Sequence, residues 1–402
     1  MGEGVMSALT LTASKNTQTM TLDLPLLGSA LALAAIGLIM VTSASVDFAD
    51  DANGQALYYM WRHLTYLLAG VAVGFVILRL PLEWWHKQSW LLLVVALGFL
   101  VAVLIPGIGR TVNGSTRWIS LGVINIQASE IAKVCLAIYT ASYLVRRLDE
   151  VRGSWWGFAK PLLVLMLVAL LLLMEPDFGA LVVTMCAVVG MIFLSGVALS
   201  RFAALLMFCV GSVALLAVSQ PYRLKRLTAY TDPWADQFDS GYQLTQALIA
   251  FGRGEWSGVG LGNSVQKLFY LPEAHTDFVF AIIAEELGLL GSLLIIVLFG
   301  VLLWRGMYVS RVAERAGQLF NAYAGYGVTL LLGGQALINL GVNTGLLPTK
   351  GLTLPLISYG GSSLIISCLC VAILLRIGSE AVSGEQTEDE SPKVKNRGGA
   401  QR

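Results

Sequence analysis

The chain alternates long apolar runs with short polar segments. The runs are close to the ~20 residues that an α-helix needs to cross a hydrocarbon layer of about 30 Å. Many of the polar segments between them carry Arg, Lys, Gly or Pro. The pattern predicts ten membrane-spanning helices, at approximately residues 26–46, 64–80, 89–106, 127–145, 160–174, 178–197, 202–219, 277–302, 320–341 and 361–377.

The basic residues indicate which side of the membrane holds the termini. Ten spans place both termini on one side, and short cytoplasmic loops carry an excess of Lys and Arg. The segment of residues 220–276 carries five basic residues, but it is nearly too long for this rule to apply. We therefore expect both termini to be cytoplasmic. Short inner loops then hold Arg79, Lys87, Arg146, Arg147, Arg152, Lys160, Arg201, Arg305, Arg311 and Arg315, and short outer loops hold only Arg62, Arg110, Arg117 and Lys350.

Composition supports the same class of protein. Of the 402 residues, 56% are hydrophobic and 13% are charged, whereas soluble domains carry about 25% charged residues. The net charge of +1 argues against a general nucleic-acid-binding role. We expect an all-α polytopic membrane protein with a cytoplasmic tail at 1–25, a membrane domain at 26–378 with an external loop at about 220–276, and a disordered cytoplasmic tail at 379–402.

Two further features concern processing and cysteine chemistry. The first run is long for a cleaved signal peptide, so we expect it to be retained as an anchor. All five cysteines fall within apolar runs, and none has a second Cys or a His at metal-ligand spacing. We interpret them as small buried hydrophobic residues rather than as disulfide or zinc ligands.

The polar segment LPEAHTDFVF opens the eighth run. With cytoplasmic termini, His275, Thr276 and Asp277 lie at its external mouth. Thr276 or Asp277 could cap the helix, because either side chain can accept hydrogen bonds from amides of the first turn. Asp277 could instead be a general base, since partial desolvation raises the pKa of a carboxyl group towards neutrality. Position alone leaves both interpretations open.

Glu285 and Glu286 lie deeper in the same run. Eight residues along a helix separate Asp277 from Glu285 by about 12 Å, whereas the paired carboxylates of glycoside hydrolases lie about 5–9.5 Å apart. A mechanism with Asp277 as the single base therefore fits better. For the two glutamates, contacts with polar groups on a neighbouring span are the favoured interpretation.

The segment GRTVNGSTRWISLGVINIQASEIAK follows the third run. It combines turn-forming glycines with fixed positive charge, and its Trp could lie at the membrane interface or against a sugar ring. Its Glu and Lys are three residues apart and can pair on one helix face, either as a structural ion pair or as part of a polar groove. The candidate substrate-binding residues are Arg110, Arg117, Trp118, Gln127, Glu130 and Lys133.

The long external loop contributes two further motifs. Arg223, Lys225 and Arg226 are close enough in sequence to surround one phosphate or pyrophosphate, and an anionic lipid headgroup is nearly as suitable a ligand. The glycine-rich stretch GRGEWSGVGLGNSVQK allows close backbone approach. It lacks the Gly-Lys-Ser/Thr ending of a phosphate-binding loop.

The last external loop, GVNTGLLPTKGLTLPLISYGGSS, mixes two prolines with glycines and hydroxyl residues at membrane depth. We expect it to interrupt helical structure, which is tolerated there only where backbone packs in protein or lines a cavity. Lys350 is its only charge, and Ser358 is a further candidate for substrate binding. The segment is either a re-entrant loop beneath a lipid-substrate cavity or a packed plug.

This last stretch closely resembles the signature of the FtsW/RodA/SpoVE (SEDS) family. STRWISLGVINIQASEIAK, EPDFG and LPEAHTDFVFAIIAEELGLLG also match the pattern of the family, in the same order along residues 26–378. The polar tails lie outside the resemblance. Within the family, the chain is more similar to the division branch than to the elongation branch.

The resemblance implies a ten-span peptidoglycan glycosyltransferase that polymerises lipid II at the outer face of the bacterial cytoplasmic membrane. It implies that Asp277, in the His-Thr-Asp-Phe motif, is the catalytic carboxylate, and that Trp118 contributes to activity. The implied partner is a class B penicillin-binding protein, an FtsI-type transpeptidase. A division role further implies other divisome membrane proteins and a location at the septum.

The expected chemistry uses one carboxylate. Asp277 would deprotonate a sugar hydroxyl of the acceptor, which attacks the anomeric carbon of a lipid-linked donor. Basic residues, or a divalent cation such as Mg²⁺ or Mn²⁺, would stabilise the departing pyrophosphate, and no organic cofactor is expected. The alternatives are a lipid II flippase and a non-catalytic scaffold for the transpeptidase. Candidate basic residues are Arg110, Arg117, Lys350, Arg223 and Arg226.

Overall fold

A computed structural model describes residues 22–112, 115–120, 122, 125–218, 232–235, 237–239 and 241–389. Most of these residues are helical, and an irregular turn with non-helical angles at Leu268 and Phe269 lies at Gln266–Tyr270. The helices are α1 (Leu24–Asn53), α2 (Tyr58–Arg79), α3 (Leu82–Lys87), α4 (Ser89–Leu104), α5 (Ala128–Arg146), α6 (Leu148–Gly153), α7 (Trp155–Met174), α8 (Phe178–Leu194), α9 (Leu199–Val218), α10 (Tyr242–Gly254), α11 (Val279–Arg315), α12 (Leu319–Asn343) and α13 (Gly361–Asp389).

The predicted apolar runs all fall on helices. Seven of the described helices are long and apolar enough to cross a membrane, namely α1, α2, α5, α7, α11, α12 and α13. Three others, α4, α8 and α9, carry shorter apolar stretches. The chain is therefore an all-α, multi-pass membrane protein, as predicted. The count of ten spans and the cytoplasmic position of both termini stay predictions.

The spanning helices divide into an inner and an outer group. The protein buries 78%, 67% and 61% of the apolar stretches of α5, α12 and α13, but between 28% and 44% of those of α1, α2, α7 and α11. Helices that face lipid must present apolar side chains, whereas inner helices can carry polar groups that pair with one another. The polar residues of a site therefore belong on or beside α5, α12 and α13.

A small antiparallel sheet follows α4, in the segment predicted as a polar loop between the third and fourth spans. Strand β1 (Gly109–Val112) pairs with β2 (Ser115–Ser120), which pairs with β3 (Asn125–Gln127). Trp118 of β2 lies opposite Arg110 on one side and Gln127 on the other. The strands include β-branched and aromatic residues such as Thr116, Trp118 and Ile119, which favour extended structure. The sheet fixes the start of α5.

The C-terminal helix passes the predicted boundary of the membrane domain. The domain boundary at residue 379 stays a prediction, and α13 extends past it to Asp389. Glu380 explains the first added turn: its carboxylate accepts hydrogen bonds from Arg376 at 2.8 Å, from the Leu82 amide at 3.2 Å and from Asn321 at 3.2 Å. In these contacts, protein donors take the place of water around the Glu380 carboxylate, which holds this turn of α13 against the bundle.

Helix α11 is interrupted at Gly288, whose φ of 67° and ψ of −161° favour a residue without a side chain. The segment after α10 fills the interruption, since the amides of Val259 and Leu289 donate to the carbonyls of Glu285 and Glu255 at 3.0 and 2.9 Å. The glycine-rich stretch therefore binds this chain's own backbone.

Glu285 and Glu286 hold the same junction together. Glu285 accepts from Arg253 and from the Val265 amide, each at 3.0 Å, and Glu286 accepts from Ser43 at 2.8 Å and pairs with Lys267 at 3.1 Å. Neither glutamate is exposed. Ser43 lies on the neighbouring span α1. Its hydrogen bond to Glu286 is therefore a contact with a polar group on a neighbouring span, as predicted for the two glutamates.

The segment between α12 and α13 contains no helix or strand from residue 344 to residue 360, as expected from its prolines and glycines. It is nevertheless packed into the protein: Leu352, Leu354 and Ile357 are between 0 and 6% exposed. Its backbone is thus covered by protein, which satisfies the requirement for irregular structure at membrane depth.

The cysteines only partly follow the prediction. All five are free thiols, and Cys135, Cys209 and Cys370 are buried, but Cys186 is exposed on α8. A thiol is weakly polar, so an exposed position on an apolar helix costs little.

Candidate active site

Asp277 lies two residues before the start of α11, and its backbone is fixed by α12. The carbonyl of Asp277 accepts hydrogen bonds from Asn339 at 2.8 Å and from Asn343 at 3.0 Å. Asn343 also accepts from the amide of Ala281, in the first turn of α11, at 3.2 Å. One asparagine thus caps the helix from outside and orients the residue that precedes it.

The alternative that Thr276 or Asp277 caps α11 is wrong. The N-cap residue is Phe278, which makes no side-chain cap hydrogen bond, and Thr276 instead donates to Glu273 at 2.7 Å. Among the described residues, no group donates a hydrogen bond to the Asp277 carboxylate within the usual limits. The side chain is therefore available for another role.

The carboxyl group of Asp277 has an unusual acidity. Burial raises its pKa to about 7, with a further contribution from the negative charge of Glu273 and a smaller one from Asp177, while Arg117 opposes the shift. A base with a pKa near the operating pH is suited to proton transfer. The backbone of Gly351 lies beside the carboxylate, since a Cβ atom added at Gly351 would lie 2.7 Å from Asp277 Oδ2.

Arg117 and Asp177 are two charged side chains close enough to Asp277 to affect its pKa. Arg117 Nη1 lies 3.8 Å from Asp177 Oδ1, and its Nη2 donates to the carbonyl of Pro176 at 2.9 Å. Asp177 accepts from Ser129 at 2.8 Å and from Gln127 at 3.0 Å, so β3 and α5 fix its orientation. Asp177 is 1% exposed, whereas the Arg117 side chain is 27% exposed and can meet a ligand.

Glu175 lies at the C-terminal end of α7, near Arg117 and Asp177. The residue is fully buried, and neither carboxylate oxygen has a hydrogen-bond partner among the residues that the structure describes. Burial raises its pKa to about 8, assisted by Asp177 and opposed by Arg117. At neutral pH Glu175 is therefore mainly protonated, which leaves Asp177 as the carboxylate that holds Arg117.

The remaining predicted residues take several positions around this centre. Arg110 is exposed on β1, and Lys350 lies with its Nζ 4.9 Å from the Phe178 ring centroid. Ser358 is buried and accepts from the Leu354 amide at 2.8 Å, so it supports the loop. The ring of His275 packs against Tyr59, with centroids 4.8 Å apart. Arg223, Lys225 and Arg226 lie outside the described residues.

Glu130 and Lys133 form the predicted ion pair, at 2.7 Å, and are 4% and 3% exposed. Lys133 also donates to Gln335 at 2.6 Å, and Gln335 donates to the carbonyl of Thr353 at 3.0 Å. The pair therefore supports the segment beside Asp277 from within the bundle.

A dedicated metal centre does not fit the part of the chain that the structure describes. No group of three or more His, Cys, Asp or Glu residues there could hold a metal ion. Asp177 already accepts from Ser129, Gln127 and the Ala180 amide.

Comparison with known proteins places this geometry in context. The sequence profile of the FtsW/RodA/SpoVE family, described as cell cycle proteins, matches residues 24–382. The chain belongs to this family. The resemblance seen in the sequence motifs is thereby confirmed.

Family relatives match most of the chain. A protein of Pseudomonas fluorescens (strain SBW25), named "Probable peptidoglycan glycosyltransferase FtsW", is 59% identical over 90% of this chain and 88% of its own length. A protein of the same name in Marinobacter nauticus is 54% identical over 92% and 93% of the two chains.

Solved structures of the family have the same fold. One is described as "Structural coordination of polymerization and crosslinking by a peptidoglycan synthase complex", with a TM-score of 0.74 and 28% identity over 90% of this chain and 99% of that one. The Thermus thermophilus rod shape determining protein RodA has a TM-score of 0.65 and 26% identity, with 90% and 97% covered.

Sequence reasoning missed several residues of this FtsW/RodA/SpoVE site. Asn339 and Asn343, four residues apart at the end of an apolar helix, were a usable signal, because polar residues at that spacing share a face. Glu175 and Asp177 were noticed only as part of a family motif. Two acids directly after an apolar run also signal buried, paired carboxylates.

The close approach of Gly351 gives a specific prediction for this family member. We expect Gly351→Ala to reduce activity about tenfold or more, because the added Cβ displaces the Asp277 carboxylate and misplaced catalytic groups lose rate steeply. Global stability should change little. Gly334→Ala on α12 is the matched control, since a Cβ there meets no atom within 4 Å. Equal rates for the two variants would contradict the prediction.

Proposed function

We propose that this chain is a peptidoglycan glycosyltransferase that polymerises lipid II into glycan strands at the outer face of the cytoplasmic membrane. The observation that carries the proposal is the Asp277 carboxylate: partly buried, with a pKa near 7, and placed within the field of Arg117. Relatives named as peptidoglycan glycosyltransferases, at more than half identity over most of the chain, support the same activity.

The proposed reaction joins two lipid-linked saccharides. Asp277 accepts the proton of the acceptor's hydroxyl group, and the oxygen forms a bond to the anomeric carbon of the donor. The bond from that carbon to the diphosphate oxygen breaks, and the lipid diphosphate leaves with the electron pair. Arg117 stabilises the developing negative charge, because its fork of N–H groups suits phosphate oxygens.

A divalent cation, Mg²⁺ or Mn²⁺, remains part of the proposal because the phosphate groups of the substrate are suitable ligands for one. Mg²⁺ at phosphate sites commonly takes one or two carboxylates, water and the substrate's own oxygens, so it needs no three-residue cluster. The cation would add positive charge beside the diphosphate. No step assigned to Asp277 or Arg117 depends on it.

Transport of lipid II is the less favoured function. A flippase needs a polar path through the bundle, and the intramembrane charges available for one are already engaged. Glu130 and Lys133 are paired and at most 4% exposed. Glu285 and Glu286 have no exposed surface and hold the junction at Gly288.

We further propose that the chain works beside a class B penicillin-binding protein of the FtsI type, with other divisome membrane proteins, at the division septum. The structural relative whose description couples polymerisation with crosslinking supports a transpeptidase partner. The name FtsW carried by the relatives supports the division role.

The test is a polymerisation assay. The purified chain, with its transpeptidase partner blocked by a β-lactam, is mixed with labelled lipid II and Mg²⁺, and the products are separated on a gel. A ladder of glycan strands is expected. In parallel, vesicles with labelled lipid II report transport across the bilayer. Transport without a ladder, from an intact complex, would replace the proposal with the flippase.

The pH dependence follows from the raised pKa of Asp277. We expect the rate at saturating lipid II to fall below pH 7, because the base becomes protonated there. Glu273→Gln removes a negative charge that raises this pKa, so its acidic limb should lie at lower pH. A rate that is constant from pH 5 to 8, or a limb unmoved in Glu273→Gln, would contradict the assignment.

The raised pKa of Asp277 affects stability in the opposite direction from activity: as pH rises, activity should increase and stability should decrease. The folded protein holds the proton of Asp277 more tightly than the unfolded chain, so this group stabilises the fold at low pH. That contribution is lost as pH rises from about 4 to about 7.

A further inference from the structure

A second basic centre, at Arg62, lies on α2, whereas Arg117 lies on β2. Arg62 donates through Nη1 to the Tyr58 hydroxyl and through Nη2 to the Tyr66 hydroxyl, each at 2.8 Å. The guanidinium carbon lies 5.5 and 5.8 Å from the two ring centroids. Residues 58, 62 and 66 share one helix face, and the phenols fix the plane of the guanidinium. A fixed guanidinium plane is the form in which Arg recognises phosphate groups.

Aromatic rings adjoin this centre. The ring centroid of Tyr59 lies 4.8 Å from that of His275 and 5.1 Å from that of Tyr359, and His275 and Tyr359 are 5.7 Å apart. Burial lowers the pKa of His275, so its ring is neutral at pH 7. Neutral aromatic faces with polar edges are typical of pockets that bind uncharged, hydroxyl-rich rings such as sugars.

The backbone connects this cluster to the catalytic segment. The amide of Tyr359 donates to the carbonyl of His275 at 3.0 Å, and His275 is two residues before Asp277. The Tyr66 ring occupies the space beside Gly361, where a Cβ would lie 2.8 Å from it. The Arg62 cluster therefore borders the segment of residues 351–363 on the side of α2.

The Arg117 centre borders the same segment through other elements. The Gln127 amide donates to Ser362 at 3.2 Å, and Leu352 packs against Gly179 of α8. Helix α2 packs against α1 and α13, whereas α5 and α8 pack against α12. Two basic centres thus border residues 351–363 from different elements of the fold.

We propose that Arg62, with Tyr58 and Tyr66, binds the diphosphate of a second lipid-linked saccharide, whose sugar lies against Tyr59, His275 and Tyr359. The inference rests on the proposed function, because joining two lipid-linked saccharides requires two diphosphate sites and Arg117 supplies one. Asp277 lies against Gly351 of the segment that both centres border, and there a hydroxyl of one saccharide meets the anomeric carbon of the other.

The test counts bound diphosphates. Native mass spectrometry of the full chain with its transpeptidase partner, titrated with geranylgeranyl diphosphate, should show two bound molecules. Arg62→Gln and Arg117→Gln should each retain one, and the double variant none. Arg79→Gln is the matched control: Arg79 lies on the same helix, about 25 Å away along its axis, over the Phe75 ring at 4.5 Å. It should keep two.

Several outcomes would overturn the inference. Two molecules retained by Arg62→Gln exclude Arg62 as a ligand. Loss of the Arg62-dependent molecule to excess phosphatidylglycerol assigns the site to membrane phospholipid headgroups. If Arg62→Gln does not fold, Tyr66→Phe, which removes one of the two positioning hydroxyls, must weaken the same binding step.

Kinetics separates this inference from the proposed function. In the ladder assay, Arg62→Gln should raise the KM for lipid II about tenfold or more, with a smaller change in kcat, because Arg–phosphate contacts bind the substrate before the reaction. A wild-type protein without a ladder would refute the proposed function. A wild-type ladder with an unchanged KM in Arg62→Gln would refute only the second subsite.

Discussion

Asp277→Asn is expected to abolish glycan ladders, with a loss of about 10²–10⁴-fold in initial rate at pH 7. The amide keeps the size of the side chain and cannot accept a proton. The backbone contacts from Asn339 and Asn343 go to the carbonyl of residue 277, so they persist in the variant. Folding and binding of the transpeptidase should therefore be unchanged, and the loss should appear in kcat rather than in KM.

Glu273→Gln is the matched control for this experiment. Glu273 is an exposed carboxylate in the same segment, and its replacement should leave most of the activity at pH 7. Initial rates of lipid II consumption are compared at equal amounts of intact complex. If Asp277→Asn keeps more than one tenth of the wild-type rate, the base lies elsewhere. If both variants lose the ladder equally, the segment matters through its overall charge.

Asp177→Ala is expected to have the second largest effect, a loss of about 3 kcal/mol of stability together with nearly all activity. The change removes the N-cap of α8 and the acceptor of Ser129 and Gln127. It also leaves Arg117 without the carboxylate that faces it at 3.8 Å. Thermal unfolding in detergent and the ladder assay measure the two losses separately.

Two companion variants decide which function of Asp177 matters. Asp177→Asn keeps an oxygen for the N-cap but removes the charge, so it should fold with a smaller loss of stability and still polymerise poorly. Ser154→Ala removes the N-cap of α7, where Ser154 accepts from the Gly157 amide at 2.9 Å. That variant should lose about 1 kcal/mol of stability and keep its activity. A normal rate in Asp177→Asn would assign the residue a purely structural role.

Parts of the site were readable from the sequence because their signals are local. A carboxylate at the mouth of an apolar run, and an Arg-Trp pair in a short polar loop, are visible without any tertiary contact. The ion pair of Glu130 and Lys133 was predicted from their spacing on one helix face and is found at 2.7 Å. Spacing could not tell whether the pair lines a groove, and the structure buries it.

Other parts depend on residues distant in sequence. The carbonyl of Asp277 accepts hydrogen bonds from Asn339 and Asn343, which lie 62 and 66 positions after it in the sequence. Ser43 meets Glu286 across 243 positions. No periodicity encodes such distances, since they are set by which helices pack against each other. The capping role considered for Asp277 was wrong for this reason. The amide of Ala281, in the first turn of α11, donates instead to Asn343 of another helix.

The sequence by itself determined the class of protein and the placement of its helices. Runs of about 20 apolar residues must be helical in a bilayer, because only a helix satisfies every backbone group within one segment. It also determined that the segment after Asn343 breaks the helical pattern, through its prolines and glycines. Only the tertiary structure decided which polar residues meet, because burial of α5, α12 and α13 selects the charges that face one another. The pKa of Asp277 follows from that enclosure and from the charges of Glu273, Arg117 and Asp177.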